Sequence, residues 1–483
     1  MKYPIGLSII LNALAAISIL SGCSDYLDRE YDSFIDNEMT FTSYERTSKF
    51  LVNAYRYLPD GFNRIGSEAM LDAATDDAEH ANASCNIQHF NTGAWNSRSN
   101  PDDLWNKYYA GIRIANEFIE NVDRVNLDKY RLDPDNQNEY QNRLNDLKTW
   151  KYEARFLRAF FHFELVKRFG PVPVITSTLS VNADYSETPR PSMDDCISFI
   201  SSECDKVAEV LDLTPGRGID SDLGLKSRVL LYAASPLYLD WQNFSESDLP
   251  SDMEKWKAAA QAAKDVIDLG IYSLYGSYAT LFKNNFQNSE FILMRRYGNN
   301  SDFEKYNFPV SYGGVGGINP SLNLVDSYEM KDGSYFSWEN EENAVRPQFY
   351  RDDRLNATIL LNDSVWKSTA VENWDGGKDG LGVTNATKTG FYLKKYLNED
   401  VNIQTGGGSQ GHIWPLFRLA EIYLNYAEAL NEYDPENADI AEYVNRVRSR
   451  AGQPNLPSGL TQDEMRERIR RERRVELAFE EHR

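Results

Sequence analysis

A sugar offers an apolar ring face and a rim of hydroxyls, so holding one takes an exposed aromatic ring beside amide and guanidinium donors. Asn91-Thr-Gly-Ala-Trp95-Asn96-Ser-Arg98 supplies that set in a turn-like stretch without helical period. Trp95 is the candidate platform, with Asn96 and Arg98 as hydrogen-bonding partners. The alternative for Trp95 is a ring plugging the side of a helical pair. Tyr312 beside Gly313-Gly314, Trp338 beside an acidic run and Trp374 beside Asp375-Gly376-Gly377 are further candidate platforms. Loops carry function and need not bury their aromatics. Each of these three alone is equally compatible with packing.

Catalytic patterns are weaker. Gly407-Gly-Ser409-Gln-Gly411 has the letters of a Gly-x-Ser-x-Gly nucleophile elbow. That motif needs an apolar strand before the Ser, a helix after it, then an acid and a His. Asn398 to Thr405 is too polar for a buried strand, Pro415 delays any helix, and only His412 and His482 follow. A flexible Gly loop explains the match. The five His form no His-Glu-x-x-His pair and the Cys spacing fits no zinc site, so no metal or cofactor is expected. Glycoside hydrolysis needs two placed carboxylates, and 73 acidic residues make any chosen pair uninformative. Asp76-Asp77 reads as a solvent-facing pair, with calcium binding as the other use. His162, on a polar stripe with Arg155 and Arg158, reads as a hydrogen-bonded structural residue. The run Arg466 to Arg474 interleaves with Glu464, Glu467 and Glu472. Pairs such as Glu464–Arg468 and Glu467–Arg471 predict a solvated helix.

Helices dominate what must position these groups. Ala154 to Phe169 carries Leu157, Phe161, Leu165 and Phe169 at helical spacing with Phe156, Phe160 and Phe163 alongside, which predicts a helix buried on most sides. Gly170-Pro171 stops it. Leu225 to Leu239 and Trp256 to Leu269 read as further helices, the second closed by Gly270. Trp105 shares helical spacing with Tyr108, Tyr109, Ile112 and Ala115 and is assigned to the core. From about 271 to 412, Gly clusters, Asn-rich stretches and short aromatic runs such as Phe391-Tyr392-Leu393 predict loops and small strands inserted between helical segments. Leu416, Leu419, Ala420, Tyr423, Leu424, Ala427 and Leu430 then mark one apolar face, with Arg418, Asn425, Glu428 and Glu432 outward and Trp414-Pro415 at the entrance. Ile440, Tyr443, Val444 and Val447 mark a second helix, and the two suggest an antiparallel hairpin. Thr461 and Glu464 form a capping-box pattern. The helix they start is expected to run to Arg483, where no Gly, Asn or Pro closes it, as in a truncated chain. No tetratricopeptide consensus recurs at a fixed 34-residue period.

The other end carries a different signal. Met1-Lys2 precedes an almost wholly apolar run from Ile5 to Leu20, and the chain turns polar directly after Leu20-Ser21-Gly22-Cys23. That is a secretory signal peptide, too short for the roughly 20 residues of a membrane span. Leu-Ser-Gly-Cys resembles a bacterial lipobox, in which cleavage leaves Cys23 as an acylated amino terminus. An ordinary signal peptide with a chance Cys is the alternative. More than one acyl chain anchors stably, at about 0.8 kcal/mol per buried methylene. The formal net charge of −22 argues against nucleic acid and against charge-driven adhesion to anionic lipid. Membrane contact is therefore expected by the lipid anchor only. After Cys23 only Cys85, Cys196 and Cys204 remain, too few for a complete disulfide framework. Cys196 and Cys204 on one helix would lie about 12 Å apart, beyond disulfide reach, so buried free thiols are expected.

Several blocks in order carry a family resemblance. They are Ala154-Arg-Phe-Leu-Arg-Ala159 running to Phe169-Gly-Pro-Val-Pro173, Leu230-Leu-Tyr-Ala-Ala-Ser-Pro236, Pro320 with Leu324-Val-Asp-Ser-Tyr328 and Asp332-Gly333, and Arg351-Asp-Asp-Arg354. Arg418-Leu-Ala-Glu-Ile-Tyr-Leu-Asn-Tyr-Ala-Glu-Ala-Leu430, Asn445 to Gly452 and Glu472 to Arg483 complete the set. Together with the lipobox, the chain resembles the SusD/RagB family of outer-membrane nutrient-binding lipoproteins. The resemblance implies a mostly α fold, with tetratricopeptide-like helical pairs supporting a loop-rich ligand-binding region with a few short strands. It divides the chain into a signal peptide (1–22), a lipidated tether (23–40), an N-terminal helical part (41–270), a loop-rich insertion and binding face (271–412) and a C-terminal helical part (413–483). It implies a surface protein of the outer membrane, facing outward, that binds oligosaccharides without catalysis and delivers them to a SusC-like TonB-dependent transporter. A surface glycoside hydrolase, or a peptide receptor on the same fold, are the alternatives. Family members carry ligand-stacking Trp residues in roughly the region of Trp95, and only Trp95 takes that analogy. The family's last block usually continues past the position of Arg483.

Overall fold

The helix Gln137–Phe169 (α3) organises the first half of the molecule. Its first half is polar and largely exposed, whereas Ala154 and every residue from Phe156 to Val166 are buried, which is why periodicity finds only the second half. Gly170 ends it with φ 67°, a conformation that favours glycine. This computed structural model describes residues 37–483, apart from 63, 181, 183, 187, 211–220, 241–250, 284, 285 and 287. The signal peptide, Cys23 and most of the expected tether lie outside the described residues. The expected tether's last residues enter a helical turn, Asn37–Phe41, that buries Thr40 and Phe41.

Helices then lean on one another in chain order. Tyr44–Tyr55 (α1) and Trp105–Asn121 (α2) pack on α3, and α3 on Met193–Ala208 (α4). In turn α4 packs on Ser221–Ala234 (α5), and α5 on Met253–Asp268 (α6). After a long excursion, α6 meets Leu419–Tyr433 (α7), which carries Asp439–Arg450 (α8) and Gln462–Glu476 (α9). This is a mostly α fold of helical pairs. Trp105, assigned to the core from its spacing, is half-buried at the core's edge, packed edge-on to Phe169 with ring centroids 5.1 Å apart. Cys85, Cys196 and Cys204 are buried and free, the last two on α4. No described helix is long and apolar enough to cross a membrane.

The excursion between α6 and α7 is closed at its base by an antiparallel pair, Phe291–Arg296 (β2) with Ile413–Arg418 (β8). Leu416 and Trp414 therefore belong to a strand, where the sequence pattern put Leu416 on α7's face and Trp414 at a helix entrance. A fully buried strand running straight into a helix leaves no polar break for periodicity to find. Trp414 is structural all the same, buried against Phe62 and Tyr396.

Buried charge ties this base to the last helices. Arg418 is 1% exposed; its guanidinium donates to Glu290 at 2.8 Å, Glu476 at 2.7 Å and Glu480 at 2.7 Å. Arg354 reaches Asp352 at 2.7 Å and Glu472 at 2.5 Å. Arg448 joins Glu472 to Glu329, and Arg450 holds Glu290 and Glu476. Burial works to raise the Glu476 carboxyl, but Arg450, Arg418 and Arg354 override it and hold it well below the usual range. Arg418 and Asn425, expected on the outward face of α7, are thus interior, because α9 packs over them and Arg473 donates to Asn425 at 2.7 Å.

Helix α9 also departs from expectation. Its capping box is present, Thr461 with Glu464. Arg468, however, pairs with Glu329 at 2.8 Å across the fold rather than with Glu464, and Arg471 lies over the Tyr335 ring at 4.1 Å. It is an interior brace with one solvated side. The helix stops at Glu476, and positive φ at Phe479 (61°) and Glu481 (60°) turns the remaining residues.

His162 lies within α3 as a structural residue. Its Nδ1 must donate to the Arg158 carbonyl at 2.8 Å, and its Nε2 accepts from the Ile175 N–H at 3.2 Å. Only the neutral ring can do both. Burial first, and the Arg158 charge beside it, lower its pKa from 6.5 to about 4. Between those values the unfolded chain binds a proton that the folded chain refuses. Stability is therefore lost as pH falls through that window, by up to about 3 kcal/mol. In urea titrations the expected result is a flatter stability–pH curve from pH 6.5 to 4.5 for His162→Gln than for the wild type; equal slopes would remove the assignment.

Candidate functional site

Short strand pairs root the loops that carry the candidate aromatics. Ala78–His80 (β1) pairs antiparallel with Ile318–Pro320 (β3). Ile359–Leu360 (β4) pairs with Tyr392–Leu393 (β7), which packs beside β3. Val365–Trp366 (β5) and Thr369–Ala370 (β6) form a hairpin whose turn residues, Lys367 and Ser368, both have positive φ. That is the twist-matched hairpin turn, made here without glycine.

The first loop follows β1. Its helical turn Gln88–Asn91 is tied back by Gln88 Nε2 donating to the His80 carbonyl at 3.1 Å and by Asn91 Nδ2 donating to the Ala73 carbonyl at 3.1 Å. Gly93, φ 67°, reverses the chain. Trp95 then stands 50% exposed, its ring centroid 5.5 Å from that of Phe90. Asn96 Oδ1 accepts from the backbone N–H of Arg98 at 2.9 Å and of Ser99 at 3.1 Å, closing the turn. Asn96 thereby shapes the loop with its oxygen. The Arg98 side chain is exposed.

The second loop precedes β3 and carries Tyr312. Its ring is half-buried and its hydroxyl is within 3.2 Å of the Trp366 carbonyl and 3.3 Å of the Thr369 carbonyl, so it braces the hairpin. The third loop carries Trp374, 52% exposed. Its backbone is tightly wound: a Cβ on Gly380 would sit 1.8 Å from the Trp374 carbonyl oxygen, so that position has room only for glycine.

Hydrogen bonds rope the three loops together. Ala81 N–H donates to the Gly317 carbonyl at 2.8 Å, joining the first loop to the second. Asp379, buried in the third, accepts from the Ser311 N–H at 2.8 Å and the Ser311 hydroxyl at 2.7 Å. The Lys388 N–H donates to Asn319 Oδ1 at 2.9 Å. The Tyr392 hydroxyl, its pKa pushed up by burial and so kept protonated, donates to the Asp379 carbonyl at 2.7 Å. Trp95, Tyr312 and Trp374 thus stand on loops rooted in one strand unit. Asp379 and Asn319, which hold that unit, carry no sequence signal that singles them out.

Trp338 has other partners. Its Nε1 donates to Asp326 at 2.8 Å and its ring meets Phe336 edge-on at 5.1 Å, with 47% of the residue exposed. No described contact joins it to the other three.

The remaining candidates resolve chemically. Ser409 is exposed, and strand β8 follows it where an elbow requires a helix. His412 is buried, its Nε2 2.9 Å from Glu304. Asp76 and Asp77 are committed to arginines: Arg474 Nε donates to Asp77 at 2.8 Å and Arg483 Nε to Asp76 at 2.7 Å. Asp76 is exposed as expected, while Asp77 is buried, and each has an arginine partner. Among the described residues no group of three or more His, Cys, Asp or Glu is arranged to hold a metal.

Comparison with known proteins matches this architecture. Residues 280–483 match the family model described as the SusD family, and residues 25–218 match one described as starch-binding associating with outer membrane. The chain belongs to the SusD/RagB family. SusD-like protein P25 of Formosa agariphila is 25% identical over 95% of this chain and 85% of its own length. A SusD-like protein of Bacteroides ovatus is 24% identical over 79% of this chain and 64% of its own. Among solved structures, a SusD-like carbohydrate binding protein of Bacteroides fragilis superposes with a TM-score of 0.75 at 24% identity, covering 91% of this chain and 85% of that one. A laminarin binding SusD-like protein superposes at 0.65 and 22% identity, covering 92% and 90%. At these identities the structural matches speak for the fold.

Proposed function

We propose that the protein is a lipoprotein anchored through acylated Cys23 to the outer membrane, facing outward. There it binds an oligosaccharide and delivers it, unaltered, to a SusC-like TonB-dependent transporter. The observation that carries this reading is the pair of half-exposed rings, Trp95 and Trp374, on loops that Asp379, Asn319 and the β1–β3 pair hold in one unit. Exposed rings on loops tied to a scaffold suit sugar stacking, because a Trp side chain has few torsions to fix on binding. A starch-binding family description and a relative named for laminarin support the same ligand class. Release follows if the transporter-bound, closed form has the weaker affinity, since a ligand biases an equilibrium only by its differential affinity for the two states.

The test is native affinity electrophoresis of the protein, purified from membranes in detergent, in gels each containing one polysaccharide. Retardation by at least one glycan with no shortening of that glycan is expected. Depolymerisation would establish the hydrolase instead, and absence of any retardation would turn the reading to peptides.

A further inference from the structure

We propose that the surface formed by residues 330–364 is a second carbohydrate site, distinct from the loops of Trp95, Tyr312 and Trp374, that takes a segment of an uncharged oligosaccharide. It rests on the reading of the protein as a glycan binder. Two adjoining hollows of about 760 and 380 Å³ share Lys331, Phe349 and Tyr350, and none of their lining residues belongs to the three loops described above. Their size is that of small-ligand sites.

Tyr350 sets the character of this surface. It is 68% exposed and has φ 57°, the left-handed region that a bulky aromatic seldom adopts. The fold holds it there from both sides. The Lys331 N–H donates to the Tyr350 carbonyl at 2.7 Å. The next residue, Arg351, is drawn inward, donating to the carbonyls of Val325 and Pro347 at 2.6 Å while lying over the Phe336 ring. Strain of this kind persists where surrounding structure over-determines it, and it concentrates at ligand-holding positions. Phe349, immediately before, is also half-exposed, with the Arg346 guanidinium 5.8 Å from its ring centroid, so two largely exposed aromatic rings border the hollows.

Polar groups set the ligand class. Asn362 lines the smaller hollow; its Oδ1 is shielded from solvent and has no hydrogen-bond partner, so the amide gains an acceptor contact to a ligand hydroxyl when it turns outward. Five acids, Asp332, Glu341, Glu342, Asp353 and Asp363, line the hollows against Lys331, Arg346 and Arg351; Lys331 is paired with Asp353 at 2.9 Å and Arg351 is turned to backbone carbonyls, so acid outnumbers base. That balance repels uronic acids and sulfated sugars and admits neutral ones.

The test compares wild type with Tyr350→Gly, and with Phe349→Ala combined with Tyr350→Gly, on the neutral polysaccharides of the same gels. Glycine adopts φ 57° freely, so Tyr350→Gly removes ring and strain together and its Tm should equal or exceed that of the wild type. Retardation is expected to weaken about threefold to tenfold. A variant lacking Trp95 and Trp374 should keep residual retardation that Tyr350→Gly then abolishes. Unchanged retardation in both Tyr350 variants would overturn the second site while leaving the glycan reading intact. A Tm lowered by more than about 3 °C in Tyr350→Gly would mean a packed ring and would overturn it too. Failure of every polysaccharide to retard the wild type would remove both readings.

Discussion

Arg418→Met is expected to destabilise the fold by about 3–5 kcal/mol, the effect of deleting one partner from a buried ion network. Three carboxylates, Glu290, Glu476 and Glu480, share this one guanidinium, and all three are buried. Methionine fills much of the volume but leaves them facing one another in a medium with little solvent to separate their charge. Arg450 and Lys395 remain nearby, with Lys395 Nζ 2.6 Å from Glu480, so the loss is partial compensation rather than full exposure of three charges. In the variant at least one carboxyl should take up a proton on folding, its pKa now raised. A raised folded-state pKa gives stability that is present at low pH and lost as pH rises. The gap between variant and wild type should therefore be smaller at pH 5 than at pH 7.5 in chemical denaturation. A Tm within about 2 °C of wild type at pH 7.5 would mean the network is not a keystone.

Combining Trp95→Ala with Trp374→Ala is expected to weaken glycan affinity about a hundredfold while leaving the fold intact. Each ring is half-exposed, and Trp95 makes its described ring contact with Phe90 alone. Truncation at such positions removes a stacking face without opening the core. A loss of about tenfold per ring corresponds to ~1.4 kcal/mol each. The two add if they do not touch each other or share a partner. Titration calorimetry with an oligosaccharide of whichever glycan retards the wild type, beside a thermal melt, reads both quantities. Undiminished affinity with an unchanged melt would put the ligand elsewhere on the surface, whereas a collapsed melt would make the rings packing residues.

The helices of the core were legible because their signals are local. Phe156 to Val166, the Thr461–Glu464 cap and the Gly170 stop are written in consecutive residues, and the wide apolar faces they accompany call for burial. The family blocks, too, lie in that scaffold. Trp95 and Trp374 could be nominated as exposed because glycine and asparagine around them break every period.

Tertiary structure decided what local patterns leave open. Arg418 and Asn425 look like solvent-facing residues of α7 until α9, more than thirty residues later, covers them and brings Glu476 and Arg473 as partners. The charges of α9 fit pairs along their own helix equally well, and only the neighbours Glu329, Arg354 and Arg448 decide otherwise. Tyr350 shows the same limit in the backbone. Nothing in its letter announces a positive φ; Lys331 on one side and the inward pull of Arg351 on the other impose it. By itself the sequence determined the helical class and the family, since those rest on short-range period and on blocks of consecutive residues. Which charges are interior, and which aromatic rings are held outward in company, depend on partners distant in the chain, and only the packed fold supplies them.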